Sequence, residues 1–183
     1  MLEVGRELAN VNLATTTVIF VGDNGTPQNV IQPPYNAAHS KETHYDGGTR
    51  VPLIIAGPEV VNPNRESTAP VNCVDLYSTI LELAGVQVAS AQPATNPLDA
   101  KSLLPILQNT ADVDRVGFSQ MFSPDLATSV SGRVIADPAG YSLIQFDDGH
   151  EDFSTPPRTS TRARACSARR SAATRNQPML RWS

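Results

Sequence analysis

With 183 residues, 40% of them hydrophobic and 17% charged, the chain has the apolar material for one packed domain and is not disordered by composition. Its formal charge of −4 hides a split: all 18 acidic residues lie at or before Asp152 with 7 of the 14 basic ones, and the last thirty positions hold seven arginines and no acid. No apolar run reaches the roughly 20 residues of a membrane-spanning helix, residues 1–16 lack a signal-peptide pattern, and Cys73 and Cys166 make no disulfide framework.

Val4, Leu8 and Val11 fall at helical spacing and predict the end of a helix and a loop over Leu2–Leu13. Thr15–Val21 then reads as a buried strand through its β-branched run Val18–Val21, and it stops at Gly22-Asp23-Asn24-Gly25. Asp23 and Asn24 are hard oxygen donors just past a strand end, where open α/β sheets place their ligands, and such donors suit calcium or magnesium. Taken alone, the same residues also suit a hairpin turn, since Asn-Gly is a strong turn signal. Asn29–Ala38, with Pro33-Pro34 and no period, is expected to be a loop over the site. Lys41 follows in the chain; with the Asp-Asn pair it could hold an oxyanion, and its bland reading is a surface lysine. His39 and His44 flank it and are expected to be solvated loop residues. Tyr45-Asp46-Gly47-Gly48 and Arg50 lead into a second buried strand, Val51–Ala56.

Gly57–Pro70 is a loop, and Val71–Ala84 is the best helix of the chain, with Cys73, Leu76, Tyr77, Ile80 and Ala84 on one stripe predicted to pack on the sheet. Asn72 with Asp75 suits its start and Gly85 its stop. Cys73 reads as a small core residue rather than a nucleophile. After a connector, Val86–Asp99, and a short apolar turn, Ser102–Leu107, the pattern becomes strand-like over 117–122, 132–135 and 141–146, with Asp137-Pro138-Ala139-Gly140 as a turn. Asp147, Asp148, Glu151 and Asp152 are expected to form a solvated acidic loop, with a cation site as the alternative reading. Residues 154–183 are rich in Ser, Thr, Ala and Arg without hydrophobic period and predict a disordered basic tail. A frameshift in GC-rich DNA would produce that composition. A nucleic-acid contact is disfavoured because Trp182 is the only aromatic there.

The DNG closing an apolar strand, the stretch from Lys41 through Tyr45-Asp46-Gly47-Gly48-Thr49-Arg50-Val51-Pro52-Leu53-Ile54-Ile55, and the helix-like Val74–Gly85 occur together in an order that resembles the sulfatases of the alkaline phosphatase superfamily. The resemblance covers roughly Val4–Phe153 and extends to Leu98-Asp99-Ala100-Lys101 and the Ser-Leu-Leu-Pro-Ile-Leu that follows. Its departures are Asp46, where the family has Glu, and Glu42, where it has Gly. It implies an α/β fold: residues 1–110 as the C-terminal portion of an alkaline-phosphatase-like catalytic sandwich with a mainly parallel sheet, 111–153 as part of a small antiparallel subdomain, and 154–183 as the tail. It implies that Asp23 and Asn24 are the late pair of calcium ligands, with magnesium as the alternative ion, and that Lys41 contacts the sulfate group, brought there by the Gly47-Gly48 turn. Arg50 receives no role.

The implied reaction is metal-assisted hydrolysis of a sulfate ester on a small molecule or glycan, with no nucleic-acid or membrane partner. The formylglycine nucleophile of the family is expected upstream of this chain. Ser154-Thr155-Pro156-Pro157-Arg158 fits the bare motif but lies after the metal pair rather than before it. Two alternatives stay open: a non-catalytic remnant, and a phosphate or phosphonate ester hydrolase of the same superfamily. A nucleotide-binding reading of Gly22–Pro27 fails on spacing. A full-length parent is expected to be periplasmic or secreted.

Overall fold

The structure is a computed structural model that describes residues 11–33, 35–88, 95, 97–111, 115–122, 130–154 and 179–182. Its α/β architecture holds two four-stranded sheets and a few short helices. The first sheet is ordered β1 (Val18–Val21), β2 (Leu53–Ala56), β8 (Met179–Trp182), β3 (Arg65–Ser67). The strands at 18–21 and 53–56 fall where the apolar runs place them, but β1, expected to be buried, is not: Val18 and Ile19 are half-buried and Phe20 and Val21 exposed. The strand pairing does not follow the expected mainly parallel pattern: β1 and β2 run antiparallel, as do β2 and β8, and only β3 and β8 are parallel. The cause lies in the connection. Parallel neighbours need a long crossover, usually a helix, whereas the described residues between 22 and 52 contain no helix longer than the single turn α1 (Asp46–Thr49). That connection is spent on building a site.

The tail expectation is also corrected in part. Most of residues 154–183 lie outside the described residues, but Met179–Trp182 forms β8 within the first sheet. A four-residue strand draws on backbone hydrogen bonds to the free edge of β2, which a pattern averaged over thirty residues does not register.

Below this sheet, Leu53, Ile55, Val60, Leu103, Ile106 and Leu107 make a closed core, with Ile19 and Leu76 against it. Leu103 precedes the short helix α3 (Leu104–Leu107) that supplies Ile106 and Leu107.

The long helix is α2 (Asp75–Leu83), ended by Gly85 at φ +77° with Gly85 N–H donating to the Glu82 carbonyl at 2.9 Å. Its orientation differs from the expected one. Asp75, Ser78 and Thr79 are buried, while Tyr77 is 57% and Ile80 52% exposed, and Cys73 is exposed rather than in the core. Polar chemistry decides this. The extended segment 99–103 has backbone groups to satisfy: Lys101 N–H donates to Asp75 Oδ1 and Leu103 N–H to Thr79 Oγ1, each at 2.9 Å. Arg115 donates to Asp75 as well, and Asn72 N–H donates to Asp75 Oδ2 at 2.8 Å, closing the helix start. Burying Tyr77 and Ile80 instead would leave those groups unpaired.

The second sheet is an antiparallel meander of β4 (Gly117–Met121), β5 (Gly132–Ala136), β6 (Ser142–Phe146) and β7 (Glu151–Ser154). Asn72 ties it to α2: its amide donates to the Val116 carbonyl at 3.2 Å and accepts from Phe118 N–H at 2.8 Å. Val134, Ile144 and Phe146 line its inner face, and Tyr45 packs against them. The expected acidic loop is a turn only at Asp147–Gly149, because Glu151 and Asp152 extend the sheet as β7.

Candidate functional site

Three pieces of backbone meet at the end of β1. Pairing with β2 continues past the strand, with Gly22 N–H donating to the Pro52 carbonyl at 2.9 Å. Asp23 and Asn24 follow, both exposed, and then Gly25, which is buried. Thr26 N–H donates to the Gly47 carbonyl at 2.8 Å, and Lys41 N–H donates to the Thr26 carbonyl at 2.9 Å. The strand end with the two oxygen donors, the lysine segment and the diglycine turn are therefore laced by their main chains.

The glycines make this possible. A Cβ on Gly25 would stand 2.5 Å from both Cα and O of Gly48; one on Gly48 would stand 2.7 Å from the Ser40 carbonyl oxygen. These are backbone atoms with nowhere to go, so only glycine permits such an approach. Within the lysine segment, Thr43 Oγ1 donates to the Ser40 carbonyl at 2.7 Å, and Glu42 adopts φ +71°. That left-handed residue stands where the family pattern has glycine. The turn closes in α1, where Arg50 N–H donates to the Asp46 carbonyl at 2.8 Å. The Arg50–Asp46 ion pair at 3.9 Å is solvent-exposed and contributes little.

Of the two histidines expected to be solvated, His44 is not and His39 is only in part. His44 is 3% exposed: its Nε2 lies 3.2 Å from the Val130 carbonyl, and its ring meets Phe146 edge-on at 5.6 Å. His39 is half-buried and stacks on Tyr45, with ring centroids 3.6 Å apart. The Tyr45 hydroxyl donates to Asp152 Oδ2, and this bond, helped by burial, pushes the phenol up to about 12. Residues 39–45 thus have one side against the DNG strand end and the other against the second sheet. Sequence reasoning missed Tyr45 and Asp152: they are 107 positions apart, and no local pattern joins them. His39, Tyr45, Asp152, Phe153 and Ser154 line an open cleft of about 440 Å³ beside the lysine segment.

Lys41 is half-buried and Asp23 and Asn24 face solvent. The pair supplies a carboxylate and a carboxamide, the donor types calcium prefers, but only two of the 6–8 oxygens it takes. Among the described residues no group of three or more His, Cys, Asp or Glu could hold a metal. The pair fits a calcium site in kind and as one part of a larger donor set.

The family described as Sulfatase matches residues 4–86, the region that carries all three laced pieces. Residues 4–86 resemble the sulfatases. The chain is 38% identical over 101 residues to a sulfatase of Formosa agariphila, an overlap of 54% of this chain and 17% of that protein. It is 32% identical over 100 residues to arylsulfatase K of Xenopus laevis, covering 55% and 16%, and 32% identical over 101 residues to N-acetylglucosamine-6-sulfatase of Homo sapiens, again covering 55% and 16%. The chain therefore spans about a sixth of the length of these curated relatives. A solved 2-O GAG sulfatase superposes with a TM-score of 0.56 at 23% identity, over 76% of this chain and 29% of that one, a likeness of fold. The sulfatase motif thus sits on a sulfatase-like fold.

Proposed function

We propose that this chain supplies the sulfate-binding half of a sulfuric ester hydrolase. Lys41 holds the sulfate oxygens, and Asp23 with Asn24 contributes to a calcium site beside it. When bound, the cation would neutralise charge on the transferring group. The Lys41 ammonium places a fixed donor on the same anion, which matters most where negative charge grows in the transition state. Attack on sulfur needs a nucleophile, and the resemblance puts the family's formylglycine upstream of β1. The substrate class is a sulfated small molecule or glycan, and a full-length parent would work outside the cytoplasm, in the periplasm or after secretion.

The observation that carries this reading is the main-chain lacing of Thr26 to both Gly47 and Lys41, which holds the three motif pieces of a sulfatase segment at one strand end. Calorimetric titration of the 183-residue chain with calcium and with inorganic sulfate tests it. Calcium uptake is expected to fall at least tenfold in Asp23→Ala, and sulfate uptake to fall likewise in Lys41→Ala. Unchanged sulfate affinity in Lys41→Ala would refute the assignment of that lysine.

A further inference from the structure

We infer that the second sheet positions Lys41: the Tyr45–Asp152 hydrogen bond, backed by the His39 stack and the buried His44, holds the lysine segment against the DNG strand end. The inference rests on the reading of Lys41 as the sulfate contact and adds two residues to it. Three observations converge. Tyr45 lies four positions after Lys41, packs on Val134, Ile144 and Phe146, and donates its hydroxyl proton to Asp152 of β7. His39, two positions before Lys41, is stacked on the same phenol ring at 3.6 Å and 9°. His44 is anchored at the Val130 carbonyl and on Phe146. The segment therefore reaches the second sheet through His44 and Tyr45, with His39 on the other side of Lys41 joined to it by way of the Tyr45 ring, while its own hydrogen bond to the DNG strand end is the single one from Lys41 N–H to the Thr26 carbonyl. Beside that single amide bond, the buried His44 ring and the charge-assisted hydrogen bond of the half-buried Tyr45 are the stronger hold on the segment. The raised phenol fits this role, because the proton stays on Tyr45 to be donated. Tyr45 and Asp152 are positioning residues. They act on the ligand only through Lys41.

Amide hydrogen exchange of the full chain, followed residue by residue by NMR, tests the inference without any ligand. In Tyr45→Phe and in Asp152→Ala the amides of Lys41 and Thr26 are expected to exchange about tenfold faster or more, the range that loss of a hydrogen bond to a charged group gives. The amides of α2, Asp75–Leu83, keep their rates, and Asp152→Asn, which still offers an uncharged oxygen to the phenol, restores part of the protection. Unchanged rates at Lys41 and Thr26 would overturn the inference, and so would a uniform acceleration that includes α2, since that is loss of global stability. Sulfate titration of the same variants separates the two readings. Weaker sulfate binding in Lys41→Ala but not in Tyr45→Phe leaves the site assignment standing and removes the positioning role. No weakening in Lys41→Ala removes both.

Discussion

Gly25→Ala is the sharpest test of how this site is assembled. The backbone of Gly25 lies at a φ that any residue adopts, so the substitution adds one methyl group without conformational strain. That methyl would stand 2.5 Å from Cα and O of Gly48, about 1 Å inside an ordinary contact. Both obstacles are main chain in a turn that is itself packed against Ser40 and Thr43, so no side-chain rotation relieves the overlap. Separating the two loops by about 1 Å takes the Thr26 N–H to Gly47 carbonyl bond, now 2.8 Å, out of hydrogen-bonding range. Overpacking of this kind costs about 1–3 kcal/mol and the lost bond about 1 kcal/mol, for an expected loss of about 2–4 kcal/mol. Urea unfolding followed by far-ultraviolet circular dichroism measures it, with Gly117→Ala as control. The Cβ added there meets its nearest neighbour, Ala136 Cβ, at 3.6 Å, and should change stability by less than about 0.5 kcal/mol. If the proposed calcium site is formed by Asp23 and Asn24, its affinity should fall together with stability in Gly25→Ala, because both residues move with the loop. A Gly25→Ala protein as stable as the control would mean that the two loops do not touch and would refute the assembly.

Other substitutions probe the remaining pieces. Glu42→Gly relieves a left-handed residue at φ +71°, worth about 1–2 kcal/mol, against about 0.4–1 kcal/mol of added freedom in the unfolded chain, so a gain of about 0.5–1 kcal/mol is expected in the same urea assay. Asp75→Ala removes a fully buried carboxylate and strands the Arg115 guanidinium, whose burial already lowers its pKa; about 3–5 kcal/mol should be lost. Alkaline titration reads Tyr45. Its phenol titrates near 12 in the fold and near 10 when unfolded, so the folded form holds the proton longer, the contribution is complete below pH 10, and stability falls as pH rises through 10 to 12. Tyr45→Phe should flatten that part of the stability–pH curve, and a curve of unchanged slope would count against the Tyr45–Asp152 bond.

What could be read from the sequence was local. The strands at 18–21 and 53–56, the Gly85 stop and the first three strands of the second sheet follow from apolar runs, turn residues and alternation. The same locality explains the failures. Of the apolar stripe Cys73, Leu76, Tyr77, Ile80 and Ala84, Leu76 packs on the core as expected, but the others are exposed and the buried face of α2 carries Asp75, Ser78 and Thr79, because segment 99–103 brings backbone donors that Asp75 and Thr79 satisfy. Hydrophobic period ranks faces by transfer from water and is silent on whether a polar face will meet partners. β7 escaped for a related reason, since acidic residues in a row suggest solvent until Tyr45 arrives from elsewhere in the chain to pair with Asp152.

The second sheet sharpens this point. Its register aligns Phe118, Ile135, Leu143 and Phe153 in one row across all four strands, and all four side chains are exposed. The opposite face, with Val134, Ile144 and Phe146, is the buried one. Both faces are apolar at their centre, so strand alternation cannot say which of them turns inward; Tyr45 does, by filling the inner face and engaging Asp152 at its edge. The orientation of the sheet and the placement of Lys41 are therefore one packing decision. A substitution that lets the sheet release Tyr45 should loosen the lysine segment even though every residue of the DNG and diglycine motifs is unchanged.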